Sequence, residues 1–250
     1  MILAFIVLLG LIIGSFLNVC IYRIPLEQSL SFPPSHCTSC ESKIKRYDLI
    51  PVLSYIFLKG KCRNCGQKIS VRYPVIELTT GVLFGALYIE YGLSFFLIKY
   101  AVLVCFLIVI GMIDFDTTDV YFKTTLSAVL VGVAFLIYGY FLGASVTTFL
   151  LGGLLGGAVI AIIILLTHGM GWGDAEICLF VGLFLGFKLT LLMLFLSFVI
   201  GGVIGIILIL LKKKSRNDYI PFGPFIAIGA IITAIFGEKI ITVYLNIFLR

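Results

Sequence analysis

The chain has 250 residues, 61% hydrophobic and 12% charged, where soluble domains carry roughly 45–50% and 25%. That excess, with a mean hydropathy of +1.21, excludes a soluble globular domain and a disordered chain and points to an all-α polytopic membrane protein. The net charge of +6 sits mostly in two loops, so it speaks to membrane orientation, and no nucleic-acid partner is expected.

The first apolar run, residues 3–22, has no basic segment before it and no small-residue cleavage site after it. It reads as a retained membrane helix rather than a signal peptide. Residues 23–72 form a polar interval with nine Lys or Arg and three acids. Further apolar runs follow at 75–90, 95–113, 124–142 and 146–166, then a polar knot at 168–176, then runs at 177–187, 189–211 and 224–236. A last stretch, 240–249, is too short to span alone, since a span needs ~20 residues. The run 177–187 would make about 16 Å of helix, roughly half a hydrocarbon core. Charge decides whether it crosses. The loops 23–72 and 212–216 are both basic and both expected in the cytoplasm. They share a side only if 177–187 crosses, which gives about eight spans with the N-terminus outside. The acids near 114 and 174 then fall on the same cytoplasmic face. The expected organisation is an N-terminal region, 1–90, with the first span, the loop 23–73 and the second span, followed by a membrane-embedded region, 91–250.

Gly152-Gly153 with Gly156-Gly157, and Gly201-Gly202 with Gly205, repeat small residues at four-residue spacing. Such rows let helix backbones approach closely in lipid. No internal repeat is visible.

Seven cysteines divide into two groups. Cys20, Cys105 and Cys178 lie in apolar runs and read as small buried hydrophobes. Cys37 and Cys40 form one CxxC pair, and Cys62 and Cys65 a second, with 21 residues between them. Paired CxxC knuckles set four sulfurs around a tetrahedral Zn²⁺ with no open position, so the metal folds the loop rather than doing chemistry. A redox dithiol is the alternative, and His36 reads as a bystander.

Ionisable residues at membrane depth cost ~2.5–3.5 kcal/mol and are functional candidates. One cluster is Asp114, Asp116 and Asp119 at the end of a span; the other is Gly171-Trp172-Gly173-Asp174 with Glu176. Two carboxylates brought close share one proton, and a neutral acid beside a charged base can activate water and protonate a leaving amide nitrogen. Gly171 and Gly173 are expected to loosen the backbone beside Asp174. The bland alternative is that Asp174 caps the helix that follows and Asp119 is an ordinary loop residue. Glu77 and Glu90, near span ends, read as solvated or hydrogen-bonded structural acids, and His168 as an interfacial residue.

Five blocks in order resemble the type IV prepilin leader peptidases, the GxGD-type membrane aspartic proteases. They are Gly14-Ser-Phe-Leu-Asn18 through Arg23-Ile-Pro25; the loop with its cysteine pairs, Asp48–Tyr55 and Gly60–Gly66; Arg72-Tyr-Pro-Val-Ile-Glu77; Gly171-Trp-Gly-Asp174; and Pro221-Phe-Gly-Pro-Phe225. The resemblance implies Asp114 and Asp174 as the catalytic acids, with Asp116 the alternative for the first. It implies prepilin or pseudopilin precursors as substrates, cut on the cytoplasmic side of a bacterial inner membrane. It also implies S-adenosylmethionine-dependent methylation of the new N-terminus, at residues the sequence does not identify. Two positions depart from the family pattern: Tyr121-Phe122, where a proline and a polar residue are usual, and Glu176, where lysine is usual. The rival readings are a proton- or ion-coupled transporter, which would have inverted repeats and mid-membrane acids, and a structural assembly factor, which leaves both acid clusters idle.

Overall fold

In a computed structural model the described residues are 1–143, 145–213 and 220–248. They fold into helices α1 (Ile2–Arg23), α2 (Leu53–Phe57), α3 (Arg72–Tyr91), α4 (Phe95–Thr117), α5 (Phe122–Phe141), α6 (Val146–Thr167), α7 (Trp172–Leu185), α8 (Phe187–Leu210) and α9 (Gly223–Phe248). A short 3-10 turn, Arg46–Leu49, and two isolated β-bridges complete the regular structure among them. Six helices (α1, α4, α5, α6, α8 and α9) are long and apolar enough to cross a membrane. The other two expected runs are helices as well: α3, with polar ends, and α7, with 14 residues or ~21 Å. Part of the basic loop 212–216 lies outside the described residues. The chain forms two compact units, Met1–Cys105 and Phe106–Arg250.

In the first unit α1 and α3 run antiparallel at backbone contact. A Cβ on Gly10 would meet Gly81 Cα at 2.8 Å, one on Gly14 would meet Glu77 Cα at 2.8 Å, and one on Gly85 would meet Val7 Cγ2 at 2.9 Å. These are two small-xxx-small rows facing each other, Gly10-x3-Gly14 and Gly81-x3-Gly85. The sequence reading passed over both.

In the second unit α6 and α7 pack in the same way. A Cβ on Gly152 would come 2.6 Å from Gly186 C, and one on Gly153 2.7 Å from Leu183 Cδ2. The second expected glycine row does not serve this purpose: Gly202 and Gly205 have nothing within 4 Å, and only Gly201 meets a neighbour, Phe222. A further correction concerns the C-terminus. The stretch 224–236 and the described part of the last one, 240–248, belong to one continuous helix, α9. Gly237 fits against Leu189 of α8, and Glu238 pairs with Lys188 at 2.8 Å, so the polar trio at 237–239 is accommodated without breaking the helix.

Helix directions place the acids. α7 runs parallel to α5: Gly132 faces Phe184, and Thr125 bonds Glu176. α9 runs antiparallel to α4, where Gly111 meets Ala227 and Asp114 meets Gly223. The end of α4 and the starts of α5, α7 and α9 therefore lie at one end of this unit.

Candidate functional site

Asp114 lies in the last turns of α4 and is 2% exposed; Asp174 lies in the first turn of α7 and is 3% exposed. The two are near enough for the charge of one to act on the other. Asp116, two residues on and so on another face of α4, is exposed. Asp119 is exposed in the loop beyond, yet its charge reaches Asp114. Burial thus separates Asp114 from the Asp116 that sequence left as its rival.

Each acid is held by a backbone amide. Gly223 N–H donates to Asp114 Oδ2 at 2.9 Å in a buried contact. Gly171 N–H donates to Asp174 Oδ2 at 3.3 Å, the acidic half of a capping box at the start of α7. Capping and membership of the site are therefore compatible roles for Asp174.

Gly173 is not a source of looseness. A Cβ there would collide with Val120 Cβ and its methyls. The chain leaves α4 through Thr118, whose φ is +58° and whose N–H bonds Asp114 O at 2.8 Å. That turn brings Val120 onto α7, and glycine at 173 lets it seat. Gly171 is the N-cap, with an extended φ of −82°. Glu176 faces α5 and accepts a bond from Thr125 Oγ1 at 2.5 Å. His168 ends α6 in the left-handed region and is exposed.

In the first unit the Sγ atoms of Cys37, Cys40, Cys62 and Cys65 all lie within 4.8 Å of one another. A tetrahedron with Zn–S bonds of ~2.3 Å has sulfur–sulfur edges of ~3.8 Å; Cys37 Sγ and Cys65 Sγ are 3.8 Å apart. The donor set and its spacing fit one zinc ion. The two knuckles share one design, and their residues repeat with it, Cys-x-x-Cys-x-x-Lys-Ile at 37–44 and again at 62–69, which corrects the expectation of no internal repeat. Cys37 N–H bonds Ser42 O at 3.0 Å and Glu41 N–H bonds Cys37 O at 2.9 Å; 25 positions on, Cys62 N–H bonds Gln67 O at 2.8 Å and Gly66 N–H bonds Cys62 O at 3.0 Å. The bridges His36–Lys43 and Lys61–Lys68 follow the same offset. Glu41 (φ +54°) and Gly66 (φ +71°) hold the equivalent left-handed position. Backbone N–H groups of Cys65 and Asn64 pull the Cys62 thiol down to about 6, toward the thiolate a metal needs. His36 bonds Pro34 O and is not among the clustered ligands. Asp48, between the knuckles, grips Arg63 of the second knuckle with two bonds of 2.6 and 2.9 Å.

Between this loop and the start of α3 lies a cavity of about 430 Å³, lined in part by Asn18, Tyr22, Tyr55, Tyr73 and Glu77. Glu77 is 7% exposed and accepts the Val52 N–H at 2.7 Å. Val52 has φ +61°, an outlier for a β-branched residue and one the surroundings must enforce. Glu77 is thus the hydrogen-bonded acid that was expected, with a specific turn to hold.

Two family models match parts of the chain. The bacterial peptidase A24 N-terminal domain matches residues 8–91, and the type IV leader peptidase family matches residues 101–206. A prepilin leader peptidase/N-methyltransferase of Bacillus subtilis (strain 168) is 34% identical over 241 residues, 95% of each chain. The chain belongs to the type IV leader peptidase family. A relative of the same name from Neisseria gonorrhoeae is 34% identical over 88% of this chain and 86% of its own. Another, from Stutzerimonas stutzeri, is 31% identical over 95% and 92%. No solved structure gives a significant match. Among the residues that hold the two buried acids in place, sequence reasoning missed Gly223 and Val120. Gly223 stood inside a recognised block, but nothing local says which distant side chain its amide will meet.

Proposed function

We propose that this protein is a membrane aspartic endopeptidase that removes the basic leader of type IV prepilins or pseudopilins and N-methylates the new terminus. The observation that carries the peptidase half is the pair of buried carboxylates, Asp114 and Asp174, brought to one end of the second unit and each held by a backbone N–H. One carboxylate takes the proton of a water that attacks the scissile carbonyl, and the other, protonated, donates to the carbonyl oxygen. Gly171 and Gly173 support Asp174 as N-cap and as seat for Val120. Asp116 is a supporting surface acid. By the positive-inside rule the loop 23–73 and the catalytic end face the cytoplasm, the chain resides in a bacterial inner membrane, and residues 91–250 carry the peptidase. The four cysteines hold a structural Zn²⁺ that closes the loop.

Methyl transfer requires S-adenosylmethionine, which supplies an electrophilic methyl group. The cavity beside the cysteine loop suits it in size and lining. Tyr22, Tyr55 and Tyr73 offer faces for an aromatic ring, and Glu77 offers a carboxylate to a sulfonium or an ammonium.

The test is mass measurement of a synthetic prepilin after incubation with purified enzyme. Asp114→Asn and Asp174→Asn should each abolish cleavage while the protein stays folded and zinc-loaded. The double variant should be no worse, because the pair acts as a unit. Asp116→Asn should show partial loss at most, and Asp119→Asn should keep most activity. Cleavage by both Asn variants of the pair would sink the aspartic-peptidase reading. Glu77→Gln should lower the methylated fraction and leave cleavage intact.

A further inference from the structure

Asp114 and Asp174 are held unequally. The first intrahelical acceptor of α9 is Phe222 O, which takes bonds from Phe225 N at 3.0 Å and Ile226 N at 3.1 Å. Gly223 is therefore the first helical residue, and its N–H has no acceptor within the helix. The next residue, Pro224, has no N–H. The amide of Gly223 is thus a donor that the helix itself leaves free at the start of α9, and it meets Asp114 Oδ2 at 2.9 Å. Only glycine permits the approach, since a Cβ at 223 would come 2.5 Å from Oδ2 and 3.1 Å from Cγ. One turn earlier on α4, Gly111 fits against Ala227 and Pro224, so the two backbones are fixed beside the contact. The start of a 26-residue helix adds its dipole to a charge-assisted bond. Asp174 has a weaker grip, one bond of 3.3 Å. The acids acting on Asp114 are Asp174 from α7 and Asp119 from its own loop, and the first turn of α9 carries no ionisable side chain.

We propose that Gly223 is a positioning residue for peptide cleavage: its N–H holds Asp114 as the ionised member of the pair and leaves Asp174 to carry the proton. This rests on the aspartic-peptidase reading and assigns its roles. With Oδ2 occupied, Asp114 Oδ1 accepts the proton of the attacking water. The water oxygen bonds to the carbonyl carbon while the Asp174 proton passes to the carbonyl oxygen. On collapse the C–N bond breaks, the proton on Asp114 goes to the leaving nitrogen, and a hydroxyl proton returns to Asp174.

The experiment is the pH profile of kcat/KM for full-length Gly223→Ala in detergent, with a synthetic peptide bearing a basic leader, a glycine at the cut and an apolar helix. The Cβ displaces the Asp114 carboxylate from its donor. We expect kcat to fall ~100-fold with KM changed less than ~3-fold, as for loss of one preorganised donor. The acidic limb should move up by about one pH unit and the alkaline limb should stay. A loss of activity with both limbs unmoved would make Gly223 a packing residue only, and a shift confined to the alkaline limb would reverse the assignment. Either result overturns the proposal. If Gly223→Ala does not fold, Pro224→Ala is read instead. It adds a second N–H at the helix start, so its acidic limb should move to lower pH, and an unmoved limb overturns the proposal. Failure of the peptidase reading looks different, since there the Asn variants of both acids would still cut.

Discussion

A methyl group at position 173 would strike Val120, and this collision gives a sharp test of how the loop after α4 is seated on α7. Gly173→Ala should cut a prepilin at least ~10-fold more slowly, because Val120 must move and Asp174 is the next residue. Adding Val120→Gly removes the obstructing Cβ and should restore part of the rate, a coupling expected only between touching residues. No recovery in the double variant would mean that Gly173 acts otherwise than through Val120. Glu176, which breaks the family pattern, is accommodated locally by Thr125 on α5. Thr125→Val would leave that half-buried carboxylate without its hydroxyl donor and should lower the melting temperature of the folded protein by a few degrees.

Helices find their partners here through glycine rows, and the rows that matter are not those most visible in sequence. Gly156 abuts the backbone of α7 at Cys178, whereas Gly205 faces open space. Gly156→Leu should abolish folded protein, assayed by detergent-stable monodisperse yield, and Gly205→Leu should be tolerated. The helical runs were legible because lipid demands long apolar segments, and all eight expected runs are helices. Helix pairing was less legible. A row such as Gly10-x3-Gly14 carries no mark of its partner, and Gly201-Gly202 with Gly205 has the same spacing but mostly lacks one. Asp114 and Asp174 stood out because acids are rare in apolar runs. Which of Asp114 and Asp116 is buried depends on helical phase at a helix end, which spacing alone leaves open. The paired knuckles were legible in their cysteines and in the Lys-Ile that follows each pair, but not in their shared turn. There Glu41 occupies the left-handed position that Gly66 fills in the second knuckle. Glu41→Gly should therefore stabilise the zinc-loaded loop by about 0.5–1 kcal/mol, read as a higher melting temperature.

For the whole molecule the metal and the orientation are measurable together. The purified protein should carry about one zinc per chain, lost in Cys40→Ser plus Cys62→Ser, with four sulfurs satisfying a closed tetrahedral site. A single cysteine introduced at position 45, on a background lacking the native ones, should resist an impermeant reagent applied from outside. Labelling there would reverse the orientation. The continuity of α9 adds a mechanical side. Its 26 residues make a rod of ~39 Å against a hydrocarbon core of ~30 Å. One tip is pinned to Asp114, so the surplus length must emerge at the other, beyond the Lys188–Glu238 pair, where Val243, Tyr244 and Ile247 are exposed. Thicker or thinner lipid should slide the water line along those last turns, changing the labelling of residue 245 in vesicles of different acyl length while the carboxylate at the opposite tip keeps its donor.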